Sequence, residues 1–311
     1  MDTAFLDGAL ADFSGYVAAD ELYDGPCCML SAVDNRRDKR LRYDVLDHDP
    51  THEDIRTFLG RLKTALTARA LTLVGLTTDG AALYPVPLAA RLHDVPHQGC
   101  TFHVLADVVK AVLGAVASTR TRLAAPQPKW PRGRPRTQAA KAAARQQKRR
   151  TQQRLDLYTH RHLCVQRHRS HSERQQWWRI TRGLPQLPLL RELMRQVYAL
   201  FDRRCRPQTA LDQLAQLRRR CLPFPLLAET LKKLFAPTLA KALTFLDDKR
   251  LPSTSHAVER GNRRYRKMQK QVYRVRAQAQ ICARLALDMW REAQAEGRQQ
   301  TLTSLHHARA G

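Results

Sequence analysis

Near the C-terminal end of the chain, Glu259 stands at the head of a row of basic residues. The Ser/Thr cluster after Pro252 supplies an N-cap, so Glu259 falls in the first turn of a predicted helix, where the helix dipole favours a carboxylate. The basic residues lie on one flank of that helix, at intervals of four, three and four: Arg263, Arg266 and Lys270. The pattern is typical of a capped helix with solvated charges. It also suits a metal-binding carboxylate beside groups that hold phosphates, if partner acids come from elsewhere.

Apolar residues in the same segment recur at helical spacing. They predict one long amphipathic helix, or two in series, with this apolar stripe: Val258, Tyr265, Met268, Val272, Val275, Ala279, Cys282, Ala286 and Met289.

The charge of the chain is large and unevenly distributed. Its 311 residues carry a formal charge of +26, and the pI is near 10.7, which indicates a polyanionic partner. Residues 1–99 hold 10 Lys/Arg against 15 Asp/Glu, a net of −5, whereas residues 100–311 hold 44 against 13, a net of +31. An acidic segment suited to metal ions therefore precedes a basic segment suited to phosphates.

The cysteines and the N-terminus indicate a soluble protein of the cytoplasm. The seven cysteines are odd in number, scattered and without a C-x-x-C pair, which favours reduced thiols over disulfides or a zinc ribbon. The N-terminus is acidic, and no apolar run approaches membrane-spanning length. We therefore expect no membrane association.

The order of predicted elements indicates a mixed α/β sheet. Three runs separated by turn signals predict an antiparallel meander: residues 15–21, 27–33 and 40–46. A helix opens at Thr51 with this apolar face: Ile55, Phe58, Leu59, Leu62 and Leu66. A strand at 71–77, a short helix after Pro85 and a strand over 98–104 that runs into a helix complete the order β-β-β-α-β-α-β-α. This is the layout of an RNase H-like sheet, whose active acids gather at the ends of the first and fourth strands and on a later helix.

Four short motifs fall at those places and carry a family resemblance. They are Ala19-Asp20-Glu21, Thr78-Asp79-Gly80 followed by Tyr84, Cys100-x-x-His103, and Thr254-Ser255-His256-x-Val258-Glu259-Arg260. In this order they resemble the motif series of bacterial DDE transposases, and within these the Mutator-type branch, which has a C-x-x-H pair after the second Asp and a large helical insertion before the Glu. The resemblance covers roughly residues 14–115 and 250–292.

The resemblance implies that Asp20, Asp79 and Glu259 are catalytic and bind two Mg²⁺ (or Mn²⁺) ions. Strand transfer and DNA hydrolysis displace one oxygen on phosphorus by another, and two such ions, roughly 3.5–4 Å apart, stabilise the attacking and leaving oxygens. Hard divalent ions prefer oxygen ligands. Asp20 would bridge the ions, and Asp79 and Glu259 would each close one side.

Cys100 and His103 can also be interpreted as half of a zinc site, but the sequence shows no second ligand pair at suitable spacing nearby. The resemblance implies that the pair supports the active site without a catalytic role. A second group of possible ligands, among arginines and at irregular spacing, fits a basic helical surface better than a metal site: His160, His162, Cys164, His168 and His171.

The middle of the chain reads as helices broken by prolines. Residues 131–135 form the Pro-Arg-Gly-Arg-Pro core of an AT-hook, which can lie in the narrow minor groove of A·T-rich DNA, and a solvated basic linker is the equal alternative. The predicted DNA contacts are Arg132, Arg134, Arg136, Arg260, Arg263, Arg264, Arg266, Lys267 and Lys270. One of Trp177 and Trp178 should pack in a core, and the other is a candidate for stacking on a base. Leucine rows predict a helical bundle core: Leu189, Leu193, Val197 and Leu200, with Leu211, Leu214 and Leu217.

These observations predict a catalytic core in two parts, residues 1–115 and 251–293, around a basic helical insertion at 116–250, with a tail at 294–311. The resemblance implies action on double-stranded DNA at transposon ends and targets, by a homo-oligomer near the nucleoid. The separate N-terminal DNA-binding domain usual in such transposases is missing before the first strand, which indicates a shortened copy or recognition by the insertion. Two other functions stay open: a non-catalytic DNA-binding remnant or domesticated transposase, and an RNase H-like nuclease.

Overall fold

A computed structural model describes residues 3–124, 136–221, 237–271 and 275–294, together with residues 303 and 307. The chain forms two compact units. The first combines Met1–His103 with Lys241–Gly311, and the second is Val104–Ala240. Both boundaries lie earlier in the chain than the predicted ones at 115/116 and 250/251.

The first unit contains a five-stranded mixed sheet. Its strands are β1 (Tyr16–Asp24), β2 (Cys27–Asp34), β3 (Lys39–Leu46), β4 (Gly75–Thr78) and β5 (His97–Gly99). The spatial order is β3-β2-β1-β4-β5, in which β1 pairs antiparallel with β2 and parallel with β4. The mixed α/β class and the antiparallel meander β1-β2-β3 are therefore confirmed.

The edges of three strands differ from the predictions. Strand β1 runs on past Glu21 to Asp24, because its ladder with β2 continues as far as the pair Asp24↔Cys27. Strand β4 starts at Gly75 instead of residue 71, since β1, its partner, begins opposite Gly75. Strand β5 ends at Gly99, and the following helix takes over the residues that were expected to extend it.

Helices pack on both faces of the sheet. Helices α1 (Thr3–Leu10), α2 (His52–Thr67) and α3 (Pro85–Arg91) share a core with one face, and the predicted apolar face of α2 is buried throughout. Helix α2 opens after Thr51 as predicted, and Thr51 forms a capping box with Asp54 there. Helices α10 (His256–Gln271) and α11 (Gln278–Gln294) pack on the other face.

Helices α10 and α11 confirm two helices in series but correct part of the predicted stripe. Ala279 and Ala286 are exposed, and α11 buries Ile281, Leu285, Met289 and the carboxylate of Asp288 instead. Asp288 can be buried because it pairs with Arg40 and Arg264. The Arg264 Nη2 atom lies 2.7 Å from Asp288 Oδ1. A burial stripe set by ion pairs cannot be found from apolar spacing alone.

The described part of the second unit is helical, as expected for the insertion. After α4 (Thr101–Leu123), in which the boundary between the units falls, come α5 (Gln138–Thr159), α6 (His171–Thr181), α7 (Gln186–Leu200), α8 (Pro207–Cys221) and α9 (Pro237–Lys241). The core of α7 contains Leu193, Val197 and Leu200 as predicted, while Leu189 is half-buried and Leu211 in α8 is 48% exposed. Trp177 is buried and Trp178 is exposed, with the Arg182 guanidinium 5.8 Å from its ring.

Helix α4 is longer and more apolar than expected, since no apolar run of membrane-spanning length was predicted. By length and composition α4 could cross a membrane, although a single helix of this kind is weak evidence, since core helices of soluble proteins have the same composition.

Candidate active site

Three carboxylates meet where β4 ends beside β1. Strand β1 pairs with β4 as far as Ala19↔Thr78, so Asp20 and Asp79 are the next residues on two adjacent parallel strands. One carboxylate oxygen of each lies within 4.8 Å of the other and of an oxygen of Glu21. The sequence prediction that Asp20 and Asp79 come together is thus matched by the geometry, and Glu21 joins them.

Asp20 and Glu21 reach this point from opposite faces of the sheet, because successive side chains of a strand alternate. Asp20 shares a face with Ala18, which packs on α10, and the Asn262 side chain of α10 donates a hydrogen bond to Asp20 Oδ2 at 2.7 Å. Glu21 lies on the other face and bonds to the hydroxyl of Tyr84, a fully buried residue. The two faces meet only because β4 has ended and leaves the edge of β1 open.

The pKa values of Asp20 and Glu21 are displaced in the direction expected for buried, crowded carboxylates. Burial, followed by the charges of Asp79 and Glu21, raises the pKa of Asp20 to about 8. Burial and Asp79 also raise the pKa of Glu21. Burial and the neighbouring acids therefore disfavour the ionised forms of Asp20 and Glu21, which a cation beside them would favour.

Asp79 is held by a turn as well as by its strand. The amide of Ala81 donates to Asp79 Oδ1 at 2.8 Å, and Gly80 between them has φ = 91°, a conformation that favours glycine. The Asp-Gly pair therefore is a turn signal, and the turn fixes the carboxylate beside Asp20.

Glu259 lies in the first turn of α10, as predicted, but it belongs to a different group of side chains. Among the described residues it forms a group with Cys100 and His103, in which one donor atom from each of the three lies within 4.8 Å of the others. Glu259 Oε1 lies 3.8 Å from His103 Nδ1 and accepts a hydrogen bond from Ser255 Oγ at 3.2 Å. His256 Nδ1 lies 3.4 Å from Glu259 Oε2.

Cys100 and His103 interact closely. Although burial raises the pKa of the Cys100 thiol, interactions with His103 and Ser255 lower it below its usual value. The neighbouring thiol, together with Glu259 and Asp79, raises the pKa of His103 to about 9, against the effect of burial. The Asp79 contribution shows that His103 lies near both groups of acids.

Helix α10 and the segment before it connect the two groups. Glu259 and Asn262 are three residues apart on one helix face, so the Glu259 backbone lies about 4.5 Å along the axis from the residue that binds Asp20. Two hydrogen bonds fix the segment before α10. The Thr101 amide donates to Ser253 O at 2.8 Å, and Asn35 Nδ2 donates to Thr254 O at 2.9 Å. The third predicted acid is therefore held on the Asp20 side of the sheet.

The predicted basic residues of α10 fall into two classes. Arg263, Arg266, Lys267 and Lys270 are exposed. Arg260 is exposed and pairs with Asp38, whereas Arg264 pairs with Asp288 and Glu292 inside the fold. Arg264 thus has a structural partner that the sequence did not reveal. Arg136 is exposed, and Arg132 and Arg134 lie outside the described residues, as does the AT-hook core.

Four residues at the site were missed as contributors by the sequence reasoning. Glu21, Tyr84 and Asn262 contact the acids directly, and Phe102 is 51% exposed with its ring 5.7 Å from His103 and 5.5 Å from His256. The sequence offered three signals: Glu21 directly follows Asp20, Asn262 comes one helical turn after Glu259, and Phe102 lies inside the C-x-x-H motif.

Comparison with protein-family models, curated proteins and solved structures gives no match for this chain.

Proposed function

We propose that the protein is a DDE-type DNA transposase, which cleaves and joins DNA strands by metal-dependent phosphoryl transfer on an RNase H-like core. The strand order β3-β2-β1-β4-β5, with an antiparallel β1-β2-β3 meander and parallel β4 and β5, supports that core. Asp20 and Asp79 at the open edge between β1 and β4 are the observation that carries the proposal.

The carboxylate cluster fits a divalent cation. Its donors are all oxygens, which Mg²⁺ and Mn²⁺ prefer. Glu21 Oε2 is buried and makes no hydrogen bond to any described residue, and an orphaned carboxylate oxygen of this kind is costly unless a cation or water satisfies it. Asp20, Asp79 and Glu21 would hold one ion, and Glu259, which also stands beside Cys100 and His103, would contribute one carboxylate oxygen to the second. When bound, the ions supply charge stabilisation at the phosphorus oxygens.

Residues around the acids keep them in place. The Asn262 amide orients Asp20, the Ala81 amide holds Asp79, and Ser255 Oγ holds Glu259. These bonds fix three carboxylates without a nucleophilic side chain, which in-line transfer to water or a 3′-hydroxyl does not require. The protein's part in the reaction is then positioning and electrostatics.

Double-stranded DNA is the proposed substrate and partner. The exposed basic residues of α10 follow Glu259 on the same helix, so phosphates bound there would bring a strand to the acids. Arg136 and the basic helix α5 of the second unit add sequence-independent contacts. A homo-oligomer on paired DNA ends, close to the nucleoid, follows from the transposase proposal.

Metal-dependent nicking of supercoiled plasmid tests the proposal. The wild type should nick DNA with Mg²⁺ or Mn²⁺ and not with EDTA, and Asp79→Asn should reduce nicking at least about a hundredfold while DNA binding is retained. The matched control is Asp94→Asn, because the Asp94 side chain is 83% exposed and stands outside the site. Nicking that persists in Asp79→Asn would contradict the proposal.

A non-catalytic DNA-binding protein is the second candidate, favoured by the exposed basic face of α10. It predicts salt-sensitive DNA binding that is equal in the wild type and Asp79→Asn, with no nicking in either. The third candidate, an RNase H-like nuclease, would prefer branched DNA over linear ends.

A further inference from the structure

The group formed by Cys100, His103 and Glu259 stands apart from the carboxylate cluster and has a different donor chemistry. We propose that these three side chains form a binding site for a single zinc-class divalent ion. The proposal goes beyond the DNA-cleaving function, because it concerns a second, softer metal beside the Mg²⁺-type site.

The donor atoms select this class of metal. A thiolate sulfur, an imidazole nitrogen and a carboxylate oxygen are together the ligands of Zn²⁺ and of similar borderline ions, whereas Mg²⁺ avoids sulfur. The sequence offered Cys100 and His103 as half a site without partners nearby. The fold supplies the third ligand from α10, far along the chain.

The spacing of the donors fits a tetrahedral ion. Metal–ligand bonds of about 2.0–2.3 Å place neighbouring ligands about 3.3–3.8 Å apart. His103 Nδ1 and Glu259 Oε1 are 3.8 Å apart, which is too long for a hydrogen bond but suits two ligands of one ion. All three donors lie within 4.8 Å of one another, so small side-chain rotations close the site around a metal.

Two further observations distinguish the group from an ordinary helix start. Apart from the adjacent Cys100 thiol, the buried His103 Nδ1 has no hydrogen-bond partner among the described residues, and the Glu259 carboxylate lies 3.8 Å away. Ser255 contacts both remaining ligands: its amide donates to Cys100 Sγ at 3.4 Å and its hydroxyl to Glu259 Oε1 at 3.2 Å. In metal sites, hydrogen bonds of this kind orient the side chains that bind the metal directly.

The backbone around the ligands is fixed before any metal binds. The Cys100 amide donates to Thr78 O at 2.7 Å, and the Thr101 amide donates to Ser253 O at 2.8 Å. The end of β4, the start of α4 and the segment before α10 are therefore bonded to each other. Three protein ligands on this frame leave a fourth coordination position for water, as in zinc sites of the open type.

Cobalt(II) titration of the full-length protein, in excess Mg²⁺, tests the site. Co²⁺ is the probe because a thiolate ligand gives a near-ultraviolet charge-transfer band that oxygen ligands do not give. We expect a band that saturates at one ion per chain and disappears on addition of Zn²⁺. Cys100→Ser should abolish the band, and His103→Gln or Glu259→Gln should weaken Co²⁺ binding at least about tenfold.

Two control variants separate this site from the others. Cys282→Ser changes a half-buried cysteine outside the group, and Asp79→Asn changes the carboxylate cluster, so both should keep the band. Absence of a band in the wild type, or a band that survives in Cys100→Ser, would overturn the zinc-site proposal. Because Cys100 is fully buried, circular dichroism should show whether Cys100→Ser is folded. If it is not, His103→Gln is the decisive variant, since the His103 side chain is 41% exposed. Unchanged Co²⁺ affinity in His103→Gln would then overturn the proposal.

The outcome is independent of DNA cleavage. A protein that binds Co²⁺ as described but never nicks DNA would refute the proposed function alone. A protein that nicks DNA through Asp79 but shows no thiolate band would refute the zinc site alone.

Discussion

Asp20→Asn should make the metal-free protein more stable at neutral pH. Burial and the charges of Asp79 and Glu21 raise the pKa of Asp20 from 3.8 to about 8. A carboxyl group whose pKa is raised in the folded state contributes stability that is fully present below pH 3.8 and is lost as the pH rises towards 8. Asparagine has nearly the same shape, can accept the Asn262 hydrogen bond and has no charge to lose, so the variant should escape this loss.

The size of the effect follows from the displacement of the pKa. One pKa unit corresponds to about 1.36 kcal/mol. The free energy of unfolding of the variant should therefore exceed that of the wild type by about 1.6 kcal/mol at pH 5 and by about 4 kcal/mol at pH 7. Mg²⁺ at about a hundred times its dissociation constant should raise the free energy of unfolding of the wild type by about 2.7 kcal/mol. The variant should gain less, because its Asp20 ligand is neutral.

Amide hydrogen exchange in β1, with EDTA and then with Mg²⁺, is the appropriate assay. The chain has two compact units, so a whole-chain unfolding signal would mix their transitions, whereas β1 amides report the first unit alone. Asp94→Asn, at an exposed carboxylate, should leave the exchange unchanged. An Asp20→Asn protein that is less stable than the wild type at pH 7, or a difference that does not vary with pH, would refute the argument that burial and the neighbouring acids raise the pKa of Asp20.

Three further predictions concern the frame of the site and its DNA-binding residues. Asp288→Ala should destabilise the first unit by about 3–5 kcal/mol, since buried Arg40 keeps only Glu292 as a partner, and the change should appear as faster hydrogen exchange of the β1 amides. Burial, then Lys241, lowers the pKa of His97 from 6.5 to about 4, so wild-type stability should fall by about 3 kcal/mol as the pH drops through that interval, and His97→Gln, followed by hydrogen exchange in β5, should lack the fall. Changing Arg266 and Lys267 to Gln should reduce the slope of log binding constant against log salt by about 0.9 for each DNA phosphate that is no longer neutralised, and an unchanged slope would place the DNA elsewhere.

The sequence predicted those parts of the site that depend on strand order. Asp20 and Asp79 come together because each follows the last paired residue of two neighbouring parallel strands, and apolar, β-prone runs that end at turn signals reveal both strands. The cap at Thr51 and the first turn of α10 are equally local, since an N-cap and its partner are only three residues apart. Local chemistry was sufficient there.

The missed parts depend on interactions between distant segments. Glu21 should have pointed away from Asp20, and it joins the cluster only because β4 stops at Thr78 and leaves an open edge. Ala279 and Ala286 were expected to be buried, yet Asp288 is buried in their place, since it neutralises Arg40 and Arg264. Spacing along one helix carries no information about a charge that another element supplies.

Helix α10 places side chains beside both groups of possible metal ligands. The helix packs Ala257 and Val258 against Ala18 and Val33, and the Asn262 amide reaches Asp20 from one turn further on. The same placement brings Glu259, one turn earlier on the helix, to Cys100 and His103. Glu259 therefore lies between an all-oxygen group and a group with sulfur and nitrogen. If α10 moved by one turn, about 5.4 Å, Asp20 would lose its hydrogen bond from Asn262, and Cys100 and His103 would lose Glu259, so the packing of Ala257 and Val258 keeps both arrangements in place together.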